Sequence, residues 1–312
     1  MKNIYSKILV LAIGSLMVSC AGNPYAPTNR AHKKQTNALS KELKVLPPPA
    51  PGTSAMFKYA DNWVGTTNFN LRRPNLVVIH HTAQDSVGQT LKTFTLERTQ
   101  VSSHYVIGKN GEIYHMLNDL YRAWHGGSGQ WGSNTDINSA SIGIELDNNG
   151  FDEFSPVQIA SLLELLEDLK TKYKIPAANF IGHSDIAPTR KNDPNRTFPW
   201  KLLAKKGYGL WYDESITAIV KPLEDSSFSS QVATTELHTI LNDSANVTTI
   251  EVAKEAILDV SPAVALKIIG YDVTDLPAAI KAFKLHFIQT EVDSTLTDYD
   301  LKVLNNLYKK YL

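Results

Sequence analysis

The chain has 312 residues, 43% of them apolar and 20% charged, enough for two globular domains of ordinary size. Its 31 basic residues balance 31 acidic ones, so no net field draws it toward nucleic acid, which is excluded as an expected partner.

At the start, Lys2 and Lys7 flank the beginning of an apolar run, ILVLAIGSLMV, from Ile8 to Val18. A run this short cannot span a bilayer, which takes about 20 residues in a helix, and the pattern is that of a secretory signal peptide. The run leads into LMVSC, ending at Cys20, the only cysteine of the chain. This stretch resembles a bacterial lipoprotein signal, with Met17 where Leu is more usual. The resemblance implies that residues 1–19 are removed and that Cys20 carries lipid on its thiol and amine, so that no disulfide forms and the protein is anchored to a membrane without crossing it. Ala21 stands where an Asp would, by analogy, favour the inner membrane, so an outer-membrane anchor facing the periplasm is implied.

Residues 20–55 are expected to form a flexible tether: they are rich in Asn, Pro, Lys and Ala, lack apolar periodicity, and end in the stiff, extended LPPPAPGTS. From about residue 56 the pattern becomes short strands alternating with helices. NLVVIHH (75–81) is a β-branched run with histidines at its carboxyl end. In SHYVIGKNGEIYHML, Asn110-Gly111 separates two alternating runs and predicts a hairpin. SASIGIEL (139–146) turns Ile142, Ile144 and Leu146 to one side and Gly143 and Glu145 to the other. The next segment opens with Ser155 as N-cap and Pro156 at the first helical position, and Ile159, Leu162, Leu163, Leu166 and Tyr173 line one side of the predicted helix. NFIGH is a short strand that delivers His183. The fold class expected is α/β: a central mixed β-sheet flanked by helices over residues 56–213, followed over 214–312 by a linker and a small all-α domain. In that last part AAIKAFKLHF and a helix capped by Thr297 carry helix-spaced apolar positions.

Two histidines at strand ends, His80 and His183, would lie together if their strands are neighbours, and Asp193 follows His183 on the next loop. Two imidazoles and one carboxylate with a fourth position open are the ligands of a catalytic zinc; a chance spacing is the alternative. Glu145 is a carboxylate on an apolar strand, which calls for either an ion pair with Arg190 or Lys191, or a role as general base beside a metal-bound water. Lys191, two residues before Asp193, could stabilise an oxyanion. His81 should face away from His80, and His104 and His125 are read first as packing or supporting residues. His32, His115, His238 and His286 belong to no constellation.

The motifs VIHHTA, SSHYVIG, AWHGGSG, SIGIEL, GHSDIAPTRKNDP and FPW, in this order over roughly 56–205, resemble the zinc-dependent N-acetylmuramoyl-L-alanine amidases of the type-2 family, which are related to phage lysozyme amidases and peptidoglycan recognition proteins. The resemblance implies one zinc ion held by His80, His183 and Asp193, with Glu145 as the catalytic carboxylate and Lys191 as stabiliser of the transition-state oxygen. It implies hydrolysis of the amide between N-acetylmuramic acid and L-alanine in peptidoglycan or muropeptides. Asn195-Arg196 stands where relatives commonly have Gly-Pro; Asn tolerates a left-handed backbone better than most residues, which would let the turn survive. Trp124, Trp131 and Tyr105 are candidate platforms for sugar or peptide on aromatic character alone. LKIIGYDVTDLPAAIKAFKLHF resembles the helical peptidoglycan-binding domain often joined to such amidases; a bundle that only packs on the amidase is the alternative. A monomer is expected. Two other functions stay open: a non-catalytic peptidoglycan-binding lipoprotein, and a zinc peptidase acting on stem peptides.

Overall fold

The computed structural model describes residues 23–44, 66, 68, 71, 73–216 and 258–312. The readings of the signal peptide, of Cys20, of the proline run and of His238 lie outside these residues. The chain divides into two compact units, Met1–Asn70 and Leu71–Leu312. Among the described residues no helix is long and apolar enough to cross a membrane.

In the first unit, α1 (Ala26–Leu43) corrects the expectation of an unstructured tether over this stretch. Pro27 sits in its first turn and no residue of it is buried, so α1 owes its form to the helix propensity of its Ala, Lys, Arg, Gln and Leu residues rather than to a packed face. An apolar-periodicity search does not see such a helix.

The second unit is built on a five-stranded sheet of β1 (Leu76–His81), β2 (Tyr105–Ile107), β3 (Ile113–His115), β4 (Ser141–Leu146) and β5 (Phe180–Gly182). Their order is β3-β2-β4-β1-β5. Three neighbouring pairs are parallel and only β2 with β3 is antiparallel, so the mixed sheet is as expected. The hairpin turn places Gly111 at φ 84°, a conformation that a Cβ would strain, and a Cβ there would also meet Ser161 Oγ at 2.8 Å.

The parallel strands β1 and β4 are buried along their whole length, which is why both read as nearly continuous apolar runs. One face of the sheet, with Val77, Ile79, Ile142, Ile144 and Leu146, forms the main core with Ile159, Leu162, Leu166 and Leu169 of the helix α4 (Pro156–Tyr173). Ahead of α4 in the chain lie α2 (Val87–Thr95) and the single turn α3 (Ile137–Ala140). Ser155 caps α4 by accepting from Gln158 N–H, as expected, and Lys174 ends it in the left-handed conformation at φ 54°. The opposite face carries Leu76 and Val78, which cluster with Ile137, Ile181 and Ile186. The strand register puts Val78 beside Gly143 and His80 beside Glu145, so these four residues share that second face.

After β5 the chain forms the one-turn helix α5 (His183–Ile186), then α6 (Trp200–Lys205). The C-terminal helices α7 (Pro262–Ile269), α8 (Leu276–Phe287) and α9 (Asp298–Tyr311) pack around Leu266, Phe283, Leu304 and Leu307. Thr297 caps α9 in a reciprocal capping box with Asp300. The fully enclosed ammonium of Lys284 is met by Asp293 at 2.7 Å, Thr295 O at 2.8 Å and Asp300 at 3.2 Å, which ties the chain before α9 to α8.

These helices also join the loops of the sheet directly. Asp185 of α5 is fully buried; it accepts from Gly182 N–H at 2.7 Å, from Tyr271 Oη at 2.7 Å and from His286 Nδ1 at 2.7 Å. His286 stacks on Trp200 with ring centroids 3.9 Å apart, and Gln289 donates to Phe198 O. His286 therefore does belong to a constellation, a correction to its reading as isolated: its partner lies 101 positions earlier in the chain.

Candidate metal centre and active site

Parallel strands carry their ligands at their carboxyl ends. β1 ends on His80-His81, and β5 passes through Gly182 directly into His183. The loop after α5 returns to place Asp193, whose carbonyl accepts from Ser184 N–H at 2.8 Å. His80 Nδ1 lies 2.8 Å from His183 Nδ1 and 3.2 Å from Asp193 Oδ2, and His183 Nδ1 lies 3.1 Å from the same oxygen. All three residues are buried.

The outward nitrogens are also occupied. His183 Nε2 lies 3.3 Å from Gly126 O, which can only accept, so the His183 proton is on Nε2 and the Nδ1 lone pair faces inward. Arg190 Nη2 approaches His183 Nε2 at 3.5 Å, but its two hydrogens already go to the carbonyls of Gly126 and Ser128. Inward-facing imidazole lone pairs around a carboxylate repel one another unless a cation or a proton lies among them. Tetrahedral ligands at about 2.0–2.1 Å from zinc stand roughly 3.3 Å apart, close to the separations from Asp193 to the two rings. The residues thus fit a divalent ion in both donor chemistry and spacing. Burial, and next the neighbouring His183, hold His80 down at about 4, so its ring is neutral at neutral pH. Burial works to raise Asp193, but its hydrogen bonds to His183 and His80 outweigh that and hold it well below the usual carboxylate range.

Glu145 is buried beside this group. Its Oε2 has no hydrogen-bond partner. Burial first, and then the charge of Asp193, push it up to about 8, with Lys191 opposing. The ion pair with Arg190 does not form, because that guanidinium is spent on backbone carbonyls. An unpartnered buried carboxyl of this kind marks a site for proton transfer. Lys191 is exposed and lines, with Trp124, His125, His183, Arg122 and Arg190, a cavity of about 340 Å³ that opens on the metal group.

The other histidines divide as their contacts dictate. His81 faces the opposite side from His80, where its Nδ1 accepts from Asn195 N–H at 3.1 Å. Asn195 is not among the residues with positive φ, so the loop at Asn195-Arg196 does not draw on the left-handed tolerance of Asn. The loop is held instead by His81 and by Asn195 side-chain bonds to Asp152 O and Thr197. His104 is fully buried between Tyr121 O and Gly143 N–H. His125 reaches the centre itself, its Nδ1 lying 3.1 Å from His80 Nε2. Of the three aromatic platforms, only Trp124 is open, at 46% exposure. Tyr105 is buried with its hydroxyl on Asp119 and is not available to a ligand, whereas Trp131 is partly buried, packing edge-on against Tyr271 of the C-terminal bundle.

Residues 70–196 match the family model described as N-acetylmuramoyl-L-alanine amidase. Over these residues the chain is similar to the type-2 N-acetylmuramoyl-L-alanine amidases. It also has curated relatives. N-acetylmuramoyl-L-alanine amidase AmiD of Escherichia coli K12 is 40% identical over 157 residues, which cover 45% of this chain and 56% of that protein. The 1,6-anhydro-N-acetylmuramyl-L-alanine amidase AmpD of Haemophilus influenzae is 38% identical over 103 residues, covering 33% of this chain and 56% of that protein. The chain thus spans a little over half the length of these curated relatives. Among solved structures, AmiD of E. coli in complex with anhydro-N-acetylmuramic acid-L-Ala-D-gamma-Glu-L-Lys superposes with a TM-score of 0.60 at 29% identity, covering 79% of this chain and 93% of that one. AmpDh3 of Pseudomonas aeruginosa shares the fold at 24% identity, with a TM-score of 0.60 over 82% of this chain and 99% of that one.

Proposed function

We propose that this chain is a zinc-dependent N-acetylmuramoyl-L-alanine amidase, which hydrolyses the amide between the lactyl group of N-acetylmuramic acid and L-alanine in peptidoglycan or muropeptides. The observation that carries the reading is the convergence of His80 Nδ1, His183 Nδ1 and Asp193 Oδ2 beside the unpartnered carboxyl of Glu145. The names of the relatives and the substrate bound by the E. coli structure support the substrate class.

His80, His183 and Asp193 would hold one zinc ion, which when bound polarises an amide carbonyl and lowers the pKa of a water. Glu145 takes the proton of the attacking water and delivers it to the departing L-alanine nitrogen. Its burial keeps its proton affinity close to that of a base working near neutral pH. Lys191, on the open wall, faces the carbonyl oxygen as it gains charge. Trp124 offers a flat apolar surface at the groove edge. We place the protein at the outer membrane, facing the periplasm and held by lipid on Cys20, with residues 56–213 as the catalytic domain and the C-terminal helices as a peptidoglycan-binding-like domain of a monomer.

The test is product analysis. Muropeptides incubated with the purified protein should yield peptides beginning with L-alanine and free muramyl sugars by mass spectrometry. The activity should vanish in chelator and return with zinc. Wall binding without turnover would point to a non-catalytic binding lipoprotein, and cleavage within the stem peptide to a zinc peptidase.

A further inference from the structure

A neutral imidazole carries one proton on two nitrogens, and the partner of one nitrogen decides the state of the other. That rule can be followed outward from the metal centre. Ser141 Oγ lies 2.6 Å from Ile137 O and 3.1 Å from His125 Nε2. A hydroxyl has a single hydrogen and a carbonyl oxygen only accepts, so the Ser141 hydrogen goes to Ile137 O. Were it turned to His125, two oxygens would face each other at 2.6 Å with nothing between them. The Ser141 oxygen therefore accepts from His125, whose proton is on Nε2. His125 Nδ1 is left as a lone pair 3.1 Å from His80 Nε2. This lone pair requires a donor, so the His80 proton is on Nε2 too, and His80 Nδ1 faces His183 and Asp193 bare. A doubly protonated His125 would be a buried cation with no carboxylate against it, which is costly.

The backbone makes room for this arrangement. A Cβ on Gly143 would stand 2.4 Å from His125 Cγ, so the ring fits only because residue 143 lacks one. Gly143 is itself pinned through both of its backbone polar groups: its N–H donates to His104 Nδ1 at 3.1 Å, and its carbonyl accepts from Ser103 Oγ at 2.7 Å. His104 thus fixes the strand against which His125 rests.

We propose that His125 and Ser141 are positioning residues of the metal centre, which together set the His80 tautomer that turns its Nδ1 lone pair to the ion. The inference rests on His80 being a ligand, as proposed above. Both residues act through His80, and removal of a partner that orients a ligand lowers metal affinity by about 10–100-fold.

The purified full chain tests this in two ways. With 15N-labelled histidine, NMR of the metal-free chain should show His125 protonated on Nε2 and bare on Nδ1, and Ser141→Ala should mix the two tautomers. A His125 proton on Nδ1 in the parent chain would overturn the relay, and this readout does not depend on whether zinc binds. The zinc dissociation constant should rise about 10–100-fold in His125→Phe, which keeps an aromatic ring but removes both nitrogens, and by a smaller factor in Ser141→Ala. Unchanged zinc affinity in His125→Phe, with a change only in KM, would assign His125 to substrate contact and overturn the proposal. Failure of the parent chain to bind zinc at all would instead remove the metal reading, with the tautomer spectrum still deciding the relay.

Discussion

His80 and Glu145 occupy the same register position on neighbouring parallel strands, so the sheet itself sets a candidate ligand and a candidate base side by side on one face. Neither depends on a mobile loop for its placement. Because Glu145 is separate from the three ligand atoms, Glu145→Gln should leave zinc binding intact while lowering kcat by about 10²–10⁴-fold, the usual worth of a positioned general base. Equilibrium dialysis and turnover of muropeptides on the same preparation check this. Loss of zinc together with activity would assign Glu145 to the ligand set instead.

Glu145 also gives a pH dependence. Its folded value is pushed up to about 8 from an ordinary 4.5, with burial as the main cause. The folded chain thus holds this proton more tightly than the unfolded chain does. That contribution is complete below about 4.5 and fades as the pH rises through about 8. In chelator, the Tm of Glu145→Gln should therefore gain on that of the parent as the pH rises across this interval. A Tm difference that stays level, or that moves the other way, contradicts the buried protonated carboxyl.

Zinc should stabilise the chain by mass action. At a free concentration of 100 times its dissociation constant the gain is about 2.7 kcal/mol, a rise of several degrees in Tm. Asp193→Asn keeps the shape of the side chain but removes its charge, so the rise should be largely lost. An equal rise in parent and variant would mean that the ion binds elsewhere.

At the junction with the C-terminal bundle, Tyr271→Phe deletes one of the hydrogen bonds to the enclosed Asp185 carboxylate. Leaving a buried acceptor short of a donor costs about 1–3 kcal/mol. His286→Ala should cost more, since it removes both the Nδ1 hydrogen bond to Asp185 and the ring stacked on Trp200. Urea midpoints measure both, and pairing each change with Asp185→Asn should show strong coupling. Additive effects would show that the bundle leans on the amidase domain without relying on this carboxylate.

The strands that carry the site were legible because they are short β-branched runs, and His80, His183, Asp193 and Glu145 stood out because ordered motifs surround them. What escaped was whatever depends on distant packing. Nothing near His286 in the chain signals a carboxylate 101 positions away. Trp131 and Tyr105 have the side chains of a binding platform, yet one is partly buried against the bundle and the other is buried with its hydroxyl on Asp119. Residue type does not report which face is left open. The α1 helix escaped for the opposite reason: it is mostly polar and buries none of its residues, so no apolar stripe marks it.

The enclosure of Asp185 has a mechanical side. Its carboxylate draws one bond from its own loop and two from the bundle, two residues beyond His183. A change in the packing of the bundle would therefore reach, through two of these bonds, the helical turn that begins with His183.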